Sequence, residues 1–223
     1  MSQKLYSYFR SSAAFRVRIA LNLKGLDYDT IPVHLLRSGG EQHGESYRAL
    51  NPEKLVPTLI DDGAGNDGQA ALAQSLAIIE YLEETQPQPP LLPSSAVDRA
   101  HVRGLALAIA CDIHPLNNLR VLRYLSRELK LEEAARNDWY RHWCMQGLTA
   151  LEARLSGDHR TGQFCYGDAP SLADCCLVPQ IFNGRRVNTS FDGLPRTMAA
   201  FDACMALPAF QQAQPSSCPD NEA

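Results

Sequence analysis

Apolar residues follow two different periods in the two halves of this 223-residue chain. Lys4 to Phe9 alternates in the manner of a strand, whereas Ala13 to Lys24 places Ala14, Val17 and Leu21 on one helical face, with Gly25 positioned to stop the helix. Asp27 to Val33 predicts a second strand, and a strand–helix–strand unit makes the two strands parallel through a right-handed crossover. After a polar loop around Gly39 and Gly40 and a short helical piece near Tyr47 to Leu50, the apolar run that follows Pro57 predicts a third strand. Asp61 to Gly68 is turn-rich, Ala70 to Ala73 a short fourth strand, and Gln74-Ser75 precedes a helix with Leu76, Ile79 and Leu82 inward.

Gln86-Pro87-Gln88-Pro89-Pro90-Leu91-Leu92-Pro93 cannot continue that helix and reads as a linker. Beyond it the period is helical throughout: Asp98 to Ile113, Pro115 to Leu129, Glu132 to Leu155, Ser171 to Phe182, and Leu194 to Met205, followed by a polar tail after Pro215. The expected organisation is an α/β domain over 1–86, a linker over 87–93 and an all-helical domain over 94–223.

Composition narrows the classes. With 45% hydrophobic residues the chain can bury a real core, and no run approaches the roughly 18 apolar residues of a membrane span. Met1-Ser2-Gln3-Lys4 does not begin a long apolar signal region, so a soluble, cytoplasmic protein is expected. The formal charge of −4 gives no electrostatic footprint for nucleic acid. Seven cysteines (111, 144, 165, 175, 176, 204 and 218) form no Cys-x-x-Cys pair, which argues against a metal or disulfide framework and for reduced, mostly structural thiols.

Candidate chemistry concentrates at Ser11-Ser12, where the first strand turns into the first helix. A helix N-terminus exposes unpaired N–H groups and the positive end of the peptide dipoles, so an anion or thiolate can sit there. A serine at that point either caps the helix or donates to a ligand. Gln74-Ser75 presents the same choice at the start of a later helix. Ser171-Leu172-Ala173-Asp174 has capping-box spacing and reads as structural.

Several motifs in order narrow the reading further: Ser11-Ser12 before Arg16-Val17-Arg18-Ile19-Ala20-Leu21, then Ala49-Leu50-Asn51-Pro52, Val56-Pro57, Gln74-Ser75-Leu76-Ala77-Ile78-Ile79-Glu80-Tyr81-Leu82, and Leu172-Ala173-Asp174 through Val178-Pro179-Gln180. Together they resemble the zeta class of glutathione transferases, the maleylacetoacetate and maleylpyruvate isomerase family, over roughly Leu5 to Pro215. The resemblance implies a thioredoxin-like glutathione-binding domain followed by a helical bundle, a homodimer, and glutathione as cofactor with no metal. The implied reaction is cis–trans isomerisation of a maleyl keto-diacid in aromatic-compound catabolism. Maleylacetoacetate and maleylpyruvate stay open as substrates, as does a broader transferase or dehalogenase activity; a non-catalytic interaction module is a third alternative. One departure is Ala13, where the family often has Cys.

The resemblance also distributes roles. Ser11, or failing it Ser12, activates the glutathione thiol, with Arg10 beside it. Gln42, Val56, a cis Pro57, Gln74, Ser75, His114 and Asn118 contact glutathione. Arg10, Arg186 and Arg120 face the substrate, because guanidinium groups suit carboxylates and a maleyl substrate carries two.

Overall fold

The computed structural model describes residues 3–63 and 70–222. They form two compact units, one running up to Leu91 and including everything from Leu207 onward, the other spanning Leu92–Ala206.

The first unit is built on a four-stranded sheet of order β2-β1-β3-β4, from β1 (Gln3–Ser7), β2 (Tyr28–Pro32), β3 (Thr58–Asp61) and β4 (Ala70–Ala73). β1 runs parallel to β2 and antiparallel to β3, and β3 pairs antiparallel with β4. The turn-rich segment expected at Asp61–Gly68 falls largely within 64–69, outside the described residues.

Between β1 and β2 lies α1 (Ser12–Leu23), ended by Gly25 at φ +64°, with Gly25 N–H donating to Asn22 C=O and Leu26 N–H to Leu21 C=O. The amphipathic face read from the sequence understates α1, for Ala14 through Leu21 are all buried, Arg16 and Arg18 among them. After α2 (Glu45–Leu50) and β4, α3 (Ser75–Thr85) buries Ile78, Ile79 and Leu82, with Leu76 only half-buried.

The proline-rich segment is anchored rather than loose. Buried Lys24 donates to Glu83 Oε2 at 2.8 Å and to the carbonyls of Gln86 and Pro89, while Glu83 also accepts from Leu91 N–H at 2.9 Å. Pairing with a carboxylate and two carbonyls compensates a buried ammonium. The expected division into 1–86, 87–93 and 94–223 differs from this packing at both ends: the segment up to Leu91 stays with the sheet, and the tail from Leu207, including α9 (Pro208–Gln212), returns to it.

The second unit comprises α4 (Ala96–Leu107), α5 (Leu119–Arg127), α6 (Glu133–Gly157), α7 (Leu172–Arg185) and α8 (Pro195–Met205), around a core that includes Val102, Leu105, Leu148, Leu151, Leu177 and Ile181. The single helix expected over Asp98 to Ile113 breaks into α4 and a π-helical turn at Ala108–Ile113, followed by a 3₁₀ turn at His114–Asn117. Gly147 lets α6 approach this bulge, since a Cβ there would lie 2.2 Å from the Ile113 side chain. No helix is long and apolar enough to cross a membrane among the described residues.

Candidate active site

The strand register gathers most of the candidate residues at one end of the sheet. Tyr6 pairs with both Ile31 and Thr58, and Thr58 pairs with Ala73. The carboxyl ends of β1, β2 and β4 and the amino end of β3 therefore lie together. From that end run the turn carrying Arg10, Ser11 and Ser12, the loop carrying Gln42, the Val56-Pro57 segment and Gln74-Ser75.

Ser11 is the N-cap of α1, with extended backbone and its Oγ accepting from Ala14 N–H at 3.2 Å. Capping and ligand donation, alternatives in the sequence, are compatible here: accepting a hydrogen bond leaves the hydroxyl proton to donate. The first turn of α1 contains no acidic residue, so nothing on the helix offsets its positive end. Ser12 is the first helical residue and is half-buried. Arg10 is exposed, its guanidinium 4.9 Å from the centre of the Phe9 ring.

The Val56–Pro57 peptide is cis, as the resemblance implies, and so is Gln88–Pro89. A buried polar network fixes the approach to Val56: Tyr47 Oη donates to Leu55 C=O at 2.6 Å, and Asn51 Nδ2 donates to the same carbonyl at 2.9 Å and to Thr58 Oγ1 at 3.1 Å. Burial pushes the Tyr47 phenol pKa up despite the opposing hydrogen bonds, so it stays protonated as a donor. The Asn51-Pro52 motif thus shapes the loop leading to the candidate backbone contact.

Gln74 sits at the N-cap of α3 with φ +67°, exposed, and its Nε2 donates to Glu53 Oε2 at 2.6 Å. Ser75 is buried, and Arg16 Nη1 donates to its Oγ at 3.3 Å. Like α1, α3 has no acidic residue in its first turn. Arg16 places a buried cation beneath that helix start, a role that its place on an amphipathic helix did not disclose. Gln42 is buried, its Nε2 lies 3.2 Å from His43 Nε2, and its Oε1 has no hydrogen-bond partner among the described residues. Its amide occupies the space over Gly40, at φ +117°, where a Cβ would come within 2.6 Å.

His114, Asn118, Arg120 and Arg186 belong to the second unit. Asn118 caps α5 by accepting from Arg120 N–H at 3.0 Å, and its Nδ2 lies 3.4 Å from His114 Nε2. The Arg120 side chain is exposed. Arg186 ends α7, exposed, with Nη1 donating to Asn183 Oδ1 at 3.3 Å. Burial pushes the Tyr140 phenol far up, partly opposed by the charge of Arg186. No group of three or more His, Cys, Asp or Glu side chains is placed to hold a metal ion among the described residues, and all seven cysteines are free thiols.

Residues 5–90 match the glutathione S-transferase N-terminal domain family. The chain is 48% identical to maleylacetoacetate isomerase of Pseudomonas aeruginosa, with 99% of both chains covered. It superposes with a TM-score of 0.92, at 45% identity, on the holo structure of maleylpyruvate isomerase, a bacterial zeta-class glutathione S-transferase, covering 98% of this chain and 100% of that one. Maleylacetoacetate isomerase from Anaeromyxobacter dehalogenans 2CP-1, with dicarboxyethyl glutathione and citrate bound in its active site, matches with a TM-score of 0.85 at 39% identity, covering 99% of this chain and 94% of that one. With sequence, fold and the sheet-end arrangement in agreement, the chain belongs to the maleylacetoacetate/maleylpyruvate isomerase family of zeta-class glutathione S-transferases.

Proposed function

We propose that this chain is a glutathione-dependent cis–trans isomerase that converts maleylacetoacetate to fumarylacetoacetate. The observation that carries the reading is the start of α1: a serine hydroxyl with its proton left to donate, at a helix end with no acidic residue in its first turn. The residues present fit glutathione. Buried Ser75 at the start of α3, backed by the Arg16 cation, suits the γ-glutamyl carboxylate, and the orphaned Gln42 Oε1 suits an N–H donor of the peptide. Val56 offers its backbone to the cysteinyl part, and Gln74 turns the chain into α3.

When bound, glutathione supplies the thiolate nucleophile of the isomerisation. Ser11 Oγ donates its proton toward the sulfur and, with the N-terminus of α1, favours thiolate over thiol at neutral pH. Ser12 is the neighbouring alternative. Arg10 is assigned to a substrate carboxylate and to the negative charge that develops beside it. Arg120, Arg186, His114 and Asn118 keep the roles that the family resemblance implies.

Maleylpyruvate is the second reading, favoured by the superposition on a maleylpyruvate isomerase. Assaying both substrates side by side, with and without glutathione, decides between them. The proposal expects strictly glutathione-dependent turnover with the higher kcat/KM for maleylacetoacetate; a preference for maleylpyruvate would establish the second reading. Conjugation of α-halo acids with neither isomerisation would overturn both. We further propose a cytoplasmic homodimer, in keeping with the free thiols, and light scattering that gives a monomer at micromolar concentration would reject the dimer.

A further inference from the structure

The turn that presents Ser11 does not hold itself. Ser11 N–H donates to Tyr8 C=O at 2.9 Å, which closes the turn but uses neither polar group of Phe9 within it. Phe9 is only 2% exposed, so both groups need partners. Its N–H donates to Asp220 Oδ2 at 2.9 Å, across 211 residues of chain, and its C=O accepts from Arg18 Nη2 at 3.2 Å.

Arg18 is held in its turn by the same tail. Its Nε donates to Ala213 C=O at 2.9 Å and its Nη1 to Ser7 Oγ at 3.0 Å, and its charge interacts with that of Asp220. Around these bonds the tail is packed down: Phe210 and Ala213 are fully buried, and Asn22 Nδ2 donates to Ala209 C=O at 2.9 Å. Cys218 joins an apolar cluster with Tyr8, Phe9, Val33, Tyr47 and Val56. Glu222 bonds Arg37 and lies 3.4 Å from His34, whose ring meets Tyr8 edge-on.

We propose that residues 213–222 form a clasp that sets the position of Ser11, with Asp220 and Arg18 as positioning residues for the thiol-activating hydroxyl. The inference rests on the reading of Ser11 given above and adds a part of the chain remote in sequence. The clasp grips the residues two and three places before Ser11 and the strand end behind them. Without Asp220 the Phe9 N–H would be buried and unsatisfied, and the turn would relax toward water and carry Ser11 with it. Misplacement of a reacting group by about 1 Å costs on the order of 100-fold in rate.

The test compares Asp220→Ala, Asp220→Asn, Ser11→Ala and the Asp220→Ala/Ser11→Ala double variant in the full-length chain. Readouts are kcat, the KM for glutathione, the pH titration of bound glutathione thiolate by its ultraviolet absorbance, and the urea midpoint as a check on folding. Asp220→Ala is expected to lose about 10- to 100-fold in kcat and to raise the pKa of bound glutathione, with KM changed less than about 3-fold. Asp220→Asn, which keeps an acceptor for Phe9 N–H, should restore kcat to within about 3-fold of wild type. The double variant should be little worse than Ser11→Ala alone, because both changes remove the same hydroxyl contact. A folded Asp220→Ala with wild-type kcat and thiolate titration, or losses that simply multiply in the double variant, would overturn the clasp. Wild-type thiolate titration in Ser11→Ala would instead overturn the reading of Ser11 on which it rests.

Discussion

Ser11 caps α1 and Ser171 caps α7, and these two helix ends are finished in opposite ways. At α7, Ser171 N–H and Oγ both donate to Asp174 Oδ2, at 2.8 and 2.7 Å, and Asp174 Oδ1 accepts from Cys165 N–H at 2.9 Å, with Asp174 fully buried. Burial pushes the Asp174 pKa up, against the pull of these bonds. At α1, Ser11 accepts one backbone bond, stays half-buried and has no carboxylate in the following turn. The helix end with a structural role is closed with a carboxylate, and the one proposed to hold a thiolate is left electrically incomplete. Among the longer helices the contrast recurs: α4 and α6 carry an acidic residue in the first turn and α8 borrows Glu152, whereas α1 and α3 carry none, although the short α2 of the first unit carries Glu45. α5 departs from its unit in lacking one, and its cap, Asn118, is itself a candidate glutathione contact.

The largest expected effect comes from breaking the closed end. Asp174→Ala strands three donors in a fully buried site at about 1–3 kcal/mol each, so the second unit should lose at least about 3 kcal/mol of stability. Both tryptophans, Trp139 and Trp143, lie in α6 of this unit, so fluorescence against urea reads it directly. The kcat per folded molecule should stay within about 2-fold of wild type. A loss of kcat in fully folded protein would show that the closed end also serves the chemistry.

Ser11→Ala should do the reverse. Removing one preorganised donor costs about 10- to 1000-fold in kcat, whereas losing an N-cap costs about 1 kcal/mol of stability. If Ser12→Ala is the damaging change and Ser11→Ala is mild, the assignment moves by one residue.

These two ends also show what could be read without coordinates. The Ser-x-x-Asp spacing gave away the capping box because both partners lie within four residues, and the four strands followed from local periodicity and turn residues. Arg16 and Arg18 were opaque: their charge suggests solvent, and burial became visible only once Ser75, Ser7, Phe9 and Ala213 were seen to surround them. The role of the tail was hidden for a related reason. Its polar composition looks solvated, while its partners are some 200 residues away in sequence. The break at Ala108–Ile113 lies just before Pro115, a residue that disturbs a helix but does not by itself announce a π-helical turn.

Smaller effects sharpen the comparison at the remaining helix and turn. In the proposed role, Arg10→Ala removes a hydrogen bond to a charged group worth about 1.5–3 kcal/mol, hence about 10- to 150-fold in substrate kcat/KM, and a mono-ester substrate lacking the matching charge should hardly notice the change. Equal losses for diacid and mono-ester would remove Arg10 from the carboxylate role. Ser75→Ala should raise the KM for glutathione about 10-fold with kcat nearly unchanged, because its proposed contact is to a part of the peptide remote from sulfur. A fall in kcat with constant KM would assign Ser75 to the reacting end instead.

The smallest effect concerns pH and the borrowed carboxylate of α8. Burial alone would raise the Glu152 pKa, but bonds from Thr197 N–H at 2.8 Å, Arg196 N–H at 3.0 Å and Ser156 Oγ at 3.0 Å hold it below its ordinary 4.5. A carboxylate whose pKa is lower in the folded chain than in the unfolded one stabilises most when both states are ionised. That stabilisation is complete above about pH 5 and drains away as pH falls through the folded value, because the unfolded chain takes up the proton first. Glu152→Gln cannot titrate and keeps only one accepting oxygen. Wild type should therefore exceed Glu152→Gln in tryptophan-monitored urea midpoint at pH 7, and the gap should narrow steadily as the pH is lowered below about 5. A gap that stays constant on acidification would mean that Glu152 supports α8 through packing, and the second unit would then not close that helix by charge.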